Sequence, residues 1–220
     1  MKRPQREVKI HGAFSVPFVQ FKFTKHSQYE FPEIDKSVNK PDTWHIPLNT
    51  SFPNIPDDDT LVPPRIRDSL KRDLHNDLVE VLKDMNILPV FEMSDFWYNI
   101  YHEAQGQEPH DHLSDCMNKN PFWSVIYYNK NASGTMFMRP FDAYRTQEFP
   151  LWNMCAINEC FNPRYVPDVS DGDVIMFPPY IKHMIQHTEP KMRLTFATNL
   201  ILKDHQQTIH ELESQVKGFG

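Results

Sequence analysis

The sequence predicts a mainly β protein with flanking helices, an antiparallel barrel or jelly roll. Two observations lead there. From Phe91 onward, short aromatic and β-branched runs recur with turn signals between them, the pattern of a small antiparallel barrel. Ahead of them lies one strongly amphipathic stretch of the kind that packs on a sheet. Proline is abundant (19) and glycine scarce (6), and the prolines fall mostly between apolar runs, where they act as turns and strand edges.

Along the chain, residues 1–60 read as an irregular N-terminal extension packed on the core, with short strands at 8–19 and 29–32. The stretches 39–44 and 53–60 read as loops. Residues 61–220 read as the helix, the barrel and a polar C-terminal tail from Asp204. The helix is written in Ile66, Leu70, Leu74, Leu78, Val81, Leu82 and Met85, which recur at three- and four-residue spacing with charged residues between them. Pro63 and Pro64 stand at its start and Asn86 at its end. Strands are expected at 96–101, 105–112, 123–128, 135–138, 173–177, 181–186 and 192–201. A turn is expected at 129–134, and 139–171 forms a long connection.

Composition excludes several classes. The 23 basic and 29 acidic residues sum to −6, against a general nucleic-acid binder with a broad basic face. No apolar run approaches the roughly 18 residues of a membrane span, and residues 1–7 lack the apolar stretch of a secretory signal. A cytoplasmic location without a membrane partner is therefore expected. No glycine-rich phosphate loop is present. Cys116, Cys155 and Cys160 form no C-x-x-C pair, against a zinc ribbon or a thioredoxin motif, and read as buried or incidental thiols.

The chemistry rests on a few of the eleven histidines. His110 and His112 stand two apart, so on a strand their side chains share a face. His183 lies near a later strand that an antiparallel barrel can bring beside them. Three imidazoles on one side of an ion leave its other positions open, as a catalytic metal requires. An isolated H-x-H is a weak signal, because two surface histidines look the same. The stretch around His183 strengthens it: Gly172-Asp173 turns into an apolar strand, Phe177-Pro178-Pro179 ends it, His183 follows, and Arg193 comes ten residues later.

This run resembles the second half of the iron(II)- and 2-oxoglutarate-dependent oxygenase motif, in its prolyl-hydroxylase-like branch. Residues 97–101, Gly106-Gln107, His110-x-His112, 124–128 and Ser133-Gly134 resemble its first half. The likeness covers about residues 95–202 and is strongest to a bacterial and phage-associated group of such oxygenases. It implies a double-stranded β-helix, a cupin-like jelly roll, with Fe(II) on His110, His112 and His183 and with 2-oxoglutarate and O2 as cosubstrates. Arg193 would pair with the far carboxylate of 2-oxoglutarate, which a planar guanidinium grips bidentately. Tyr127, Tyr98 and Thr195 are the candidate hydroxyls beside it. The implied reaction is hydroxylation of a peptidyl (prolyl included) or small-molecule substrate, with release of succinate and CO2.

The chain departs from the family in one place. The usual pattern is H-x-D, and His112 stands where the carboxylate belongs. Three readings are open: a three-histidine site, a site completed by Glu108 or Asp115, or a non-catalytic jelly roll, structural or virion-associated, with a degenerate site. A cupin-like metal enzyme without 2-oxoglutarate is a further class, and Arg193 speaks against it. The sequence is silent on oligomeric state. Among weaker signals, His183-x-x-x-His187 lacks the glutamate of a metalloprotease helix. His187 is expected at the rim or surface, and His102 is expected to face solvent. Trp123 and Trp152 are possible cleft linings. Asp57 to Asp59 read as a solvated loop.

Overall fold

Pro64 supplies the fixed φ of a first helical turn, and α1 runs over Pro64–Asp84. Its buried stripe is Leu70, Leu74, Leu78, Val81 and Leu82. Asn86 ends it in the left-handed region (φ 59°). There the Ile87 N–H bonds to the Leu82 carbonyl and the Asn86 N–H to the Lys83 carbonyl, the paired bonds of a Schellman cap.

The computed structural model describes residues 8–13, 16–33, 49–51, 62–87, 90–113, 121–140, 164–187 and 189–202. Eleven strands follow in order: β1 (Val8–Ala13), β2 (Val16–Lys22), β3 (Asn49–Thr50), β4 (Phe91–Tyr101), β5 (Gly106–His110), β6 (Pro121–Lys130), β7 (Thr135–Met138), β8 (Arg164–Tyr165), β9 (Asp173–Phe177), β10 (His183–Gln186) and β11 (Arg193–Leu202). Seven form one sheet in the order β1-β2-β9-β6-β11-β4-β3, and four form a second, β5-β10-β7-β8. Every pairing is antiparallel. This is the mainly β, jelly-roll architecture expected from the sequence, with β7 and β9 bounded as expected.

Alternation divides the large sheet into two faces. Val125, Tyr127, Val174, Met176, Leu194, Phe196 and Leu200 enter one apolar layer with the buried stripe of α1. Ile126, Tyr128, Ile175 and Phe177 point the other way and meet Phe137 of the small sheet. The space between the sheets is the barrel interior, and it holds the site.

The N-terminal segment is more regular than expected. β1 and β2 form a hairpin, and β2 pairs with β9, so the hairpin extends the large sheet. The strand expected at 29–32 is not one: Tyr29 follows a short 3-10 turn (His26–Gln28), and Tyr29 and Phe31 are buried on the helix side. The Tyr29 hydroxyl donates to Asp73 Oδ2 (2.7 Å) and Thr24 bonds twice to Asp77, which ties this segment to α1. β3 and β8 are two residues long, too short to write any alternation. The expected loops at 39–44 and 53–60, Trp152, the three cysteines and the tail from Asp204 lie outside the described residues. No described helix is long and apolar enough to cross a membrane.

Candidate metal centre

The site forms where β5 meets β10. Gly106 pairs with Gln186, and a Cβ there would collide with the Ile185 carbonyl oxygen, so only glycine lets the strands approach. His183 sits directly opposite His110, but Ile185 sits opposite Gln107. One strand thus carries an extra residue, a β-bulge. The bulge breaks the alternation along β5: Gln107 and His110 both line the interior cavity, and Glu108 does not. Glu108 contributes its backbone carbonyl instead, as an acceptor for His110 Nδ1 (2.7 Å). Glu108 is therefore corrected as a candidate ligand, and Asp115 lies outside the described residues. His112 sits just past the end of β5, held by a bond from its N–H to the Pro179 carbonyl (2.9 Å). The two histidines come together through a strand end and not through a shared strand face.

The cluster the sequence proposed is present. His110, His112 and His183 offer ring nitrogens that all lie within 4.8 Å of one another. Among the described residues no carboxylate joins them. Each ring has its Nδ1 against an oxygen that only accepts. His110 Nδ1 donates to the Glu108 carbonyl, His183 Nδ1 to the Ile181 carbonyl (3.2 Å), and His112 Nδ1 to Asn199 Oδ1 (2.7 Å). A neutral imidazole that donates from Nδ1 keeps its lone pair on Nε2. In that tautomer each ring can offer its Nε2 to one ion, which fits a metal bound by nitrogen.

Electrostatics favour the same state. Burial, and then the neighbouring His110 charge, lowers the pKa of His112 from 6.5 to about 4. Burial and the other two rings hold His183 well below its ordinary value. Both rings are neutral at pH 7, as a ligand must be. Phe137 and Phe177 pack on His183, and Trp97 packs on His112.

Arg193 lines the same cavity and is fully buried. Its Nη2 donates to Thr135 Oγ1 (3.1 Å), and its guanidinium carbon lies 4.9 Å from the centre of the Tyr101 ring and 5.5 Å from that of Tyr128. Nε and Nη1 have no hydrogen-bond partner among the described residues. A buried guanidinium with two idle donors is costly unless an anion completes it. Thr195 lines the cavity with it, two residues along the same strand face.

Tyr98 and Tyr127 do not. Tyr98 is buried in the layer against α1. Tyr127 is in that layer too, with its hydroxyl bonded to His26 Nδ1 (2.7 Å) and accepting from Asn129 Nδ2 (3.0 Å). They are corrected as cofactor contacts, because register places the odd–even alternation one residue off. Arg193 faces Tyr101 across β4, and Thr195 faces Tyr128 across β6. Tyr101, Tyr128, Asn99 and Gln107 are the interior residues that sequence reasoning missed. The Tyr101 hydroxyl donates to Gln107 Oε1 (3.0 Å) and the Tyr128 hydroxyl to Thr135 Oγ1 (2.8 Å). Burial raises both phenols, which stay neutral. Trp123 also belongs to the helix-side layer. His102 and His187 are buried, not at the surface: His187 Nε2 donates to the Lys191 carbonyl (2.7 Å).

No family model and no curated protein matches the chain. Several solved structures are similar to it. An oxidoreductase of the 2-oxoglutarate–Fe(II) oxygenase family from Burkholderia pseudomallei is 13% identical, over 89% of this chain and 73% of the other, with a TM-score of 0.41. A Pseudomonas putida prolyl-4-hydroxylase is 11% identical, over 76% and 78%, at 0.44. HygX from Streptomyces hygroscopicus, solved with nickel, 2-oxoglutarate and hygromycin B, is 11% identical, over 86% and 84%, at 0.49.

Proposed function

We propose that this protein is an Fe(II)- and 2-oxoglutarate-dependent dioxygenase that hydroxylates a peptidyl side chain, prolyl included, or a small molecule, releasing succinate and CO2. One observation carries the reading: three histidines with ring nitrogens within 4.8 Å of one another share a cavity with a buried arginine that has two idle donors. The motif resemblance, from Trp97 to Arg193, supports it independently of the fold.

His110, His112 and His183 would hold the metal, with Arg193 as the partner of the distal carboxylate of 2-oxoglutarate. Bound iron supplies the redox chemistry that couples oxidative decarboxylation of 2-oxoglutarate to oxidation of a C–H bond. The chain's own residues set the conditions. The Nδ1 hydrogen bonds fix the tautomer of each ring. Arg193 Nε and Nη1 orient a dicarboxylate by charge-assisted bonds. Thr195 adds a hydroxyl beside them. Trp97, Ile126, Ile185 and Ala197 exclude water and leave the cavity apolar between its polar groups.

The test is an anaerobic titration of metal-free protein with Fe(II) and then 2-oxoglutarate, followed by visible absorption. A charge-transfer band that needs both, and that fades in Arg193→Ala, is expected. Absence of the band with both present would overturn the proposal. The lack of a carboxylate at the cluster among the described residues favours a second reading, a non-catalytic jelly roll with a degenerate site, which requires no band and no tight metal in the same titration.

A further inference from the structure

The departure of this chain from the H-x-D pattern has a counterpart on another strand. We propose that Asn199 is a positioning residue for His112: it holds the ring in the Nδ1–H tautomer and aims the Nε2 lone pair at His110 and His183. The inference rests on the metal-site reading above.

The two side-chain types have different needs. A carboxylate ligates through an oxygen and requires no acceptor behind it. A histidine ligates through one nitrogen only when the other holds a proton, and that N–H must be satisfied where water is excluded. His110 and His183 meet this need with backbone carbonyls two residues back in their own segments, Glu108 and Ile181. His112 alone meets it with a side chain distant in sequence, Asn199 Oδ1 at 2.7 Å.

Asn199 is built to accept. Ser124 Oγ also donates to its Oδ1, at 2.8 Å. Two donors occupy both lone pairs of that oxygen, which fixes the amide with its oxygen toward His112. His112, Ser124 and Asn199 are all at least 97% buried, so water does not compete for these bonds. Ser124 and Asn199 are direct cross-strand partners on β6 and β11. Asn199 also continues the sequence spacing of Arg193, Thr195 and Ala197, so β11 carries the anion partner at one end and the tautomer lock toward the other. As an amide, Asn199 accepts without adding a negative charge behind the ring.

The test uses 15N-labelled full-length protein. Long-range 1H–15N spectra of the metal-free form read the ring tautomers, and calorimetric titration with Ni(II) reads affinity. The wild type is expected to show His112 as the Nδ1–H tautomer. In Asn199→Leu and Asn199→Ala, checked for fold by circular dichroism, this signature is lost and Ni(II) affinity falls about 10- to 100-fold. In Asn199→Asp, which restores an acceptor, tautomer and affinity are retained. An Nε2–H tautomer in the wild type overturns the proposal. So does Ni(II) affinity within twofold of wild type in a folded Asn199→Leu or Asn199→Ala, or a loss in Asn199→Asp as large as theirs. If the wild type binds no Ni(II), the metal-site reading fails, and the tautomer spectra still decide the role of Asn199. Should neither apolar variant fold, the wild-type tautomer and the Asn199→Asp affinity decide it.

Discussion

On β11, Leu194, Phe196 and Leu200 enter the apolar layer against α1, while Arg193, Thr195 and Ala197, one residue out of phase with them, line the barrel cavity. The same strand, read on its two faces, serves stability on one side and chemistry on the other. The helix face is filled by aliphatic and aromatic residues that satisfy one another. The interior face carries groups left short of partners among the described residues, two guanidinium nitrogens of Arg193 and the Asn99 Oδ1, beside a cluster of three imidazoles. The contrast shows where this fold accepts a cost, since buried polar groups without partners lower stability unless a ligand completes them.

That contrast can be broken at several points. The largest effect is expected on the helix face. Phe196 is fully buried and packs against Phe31, Phe96 and Tyr127. Phe196→Ala should cost about 3–5 kcal/mol in urea unfolding, with Ni(II) affinity retained in whatever fraction folds.

The next effect is a pH dependence confined to the interior face. In the unfolded chain His112 takes a proton near pH 6.5, and in the fold it resists protonation until about 4. Between those values the unfolded state binds more protons, so stability falls as pH falls. The loss from His112 alone approaches about 3 kcal/mol for the metal-free protein at pH 4. His183, shifted in the same direction, adds to it. Urea midpoints measured between pH 7 and 4 check this, and a flat profile across that window would contradict the buried, neutral state of both rings.

A smaller effect with a telling sign is expected at Arg193. Arg193→Met removes a buried cation with idle donors and keeps much of its volume. Unfolding free energy without ligand should stay level or rise by up to about 2 kcal/mol, while stabilisation by 2-oxoglutarate with metal is lost. Thermal melts with and without the dicarboxylate separate the two. A large destabilisation without ligand would mean that Thr135, Tyr101 and Tyr128 satisfy the guanidinium by themselves.

The smallest effect tests the reassigned tyrosine. Tyr127→Phe removes a hydroxyl bonded to His26 and Asn129 on the helix face. It should cost about 1 kcal/mol and leave metal and 2-oxoglutarate affinities at wild-type values in calorimetry.

These comparisons also mark what was legible in the sequence. Periodicity fixed α1, because its apolar stripe is long and its caps use Pro64 and Asn86. Strands of four or more residues bounded by turn signals were legible, as at 135–138 and 173–177. The histidine trio was legible from residue types and spacing. What failed was parity. The bulge between Gln107 and His110 moves Glu108 out of the cavity and Gln107 into it; Pro109 marks an edge strand or a bulge without saying which, so the extra residue is not readable from residues 106–110. Tyr98 and Tyr127 look equivalent to Tyr101 and Tyr128 until β11 fixes the register, since a one-residue change exchanges the faces. Asn199 was invisible for a related reason: its meaning depends on His112, which lies far away in the chain.

The most direct measurement is a crystal structure of the protein loaded with Zn(II), with the ion located by anomalous scattering. The account predicts one ion at about 2.0–2.1 Å from the Nε2 atoms of His110, His112 and His183 together, with His112 Nδ1 still on Asn199. An ion bound elsewhere, or bound through fewer than all three histidines, would contradict it.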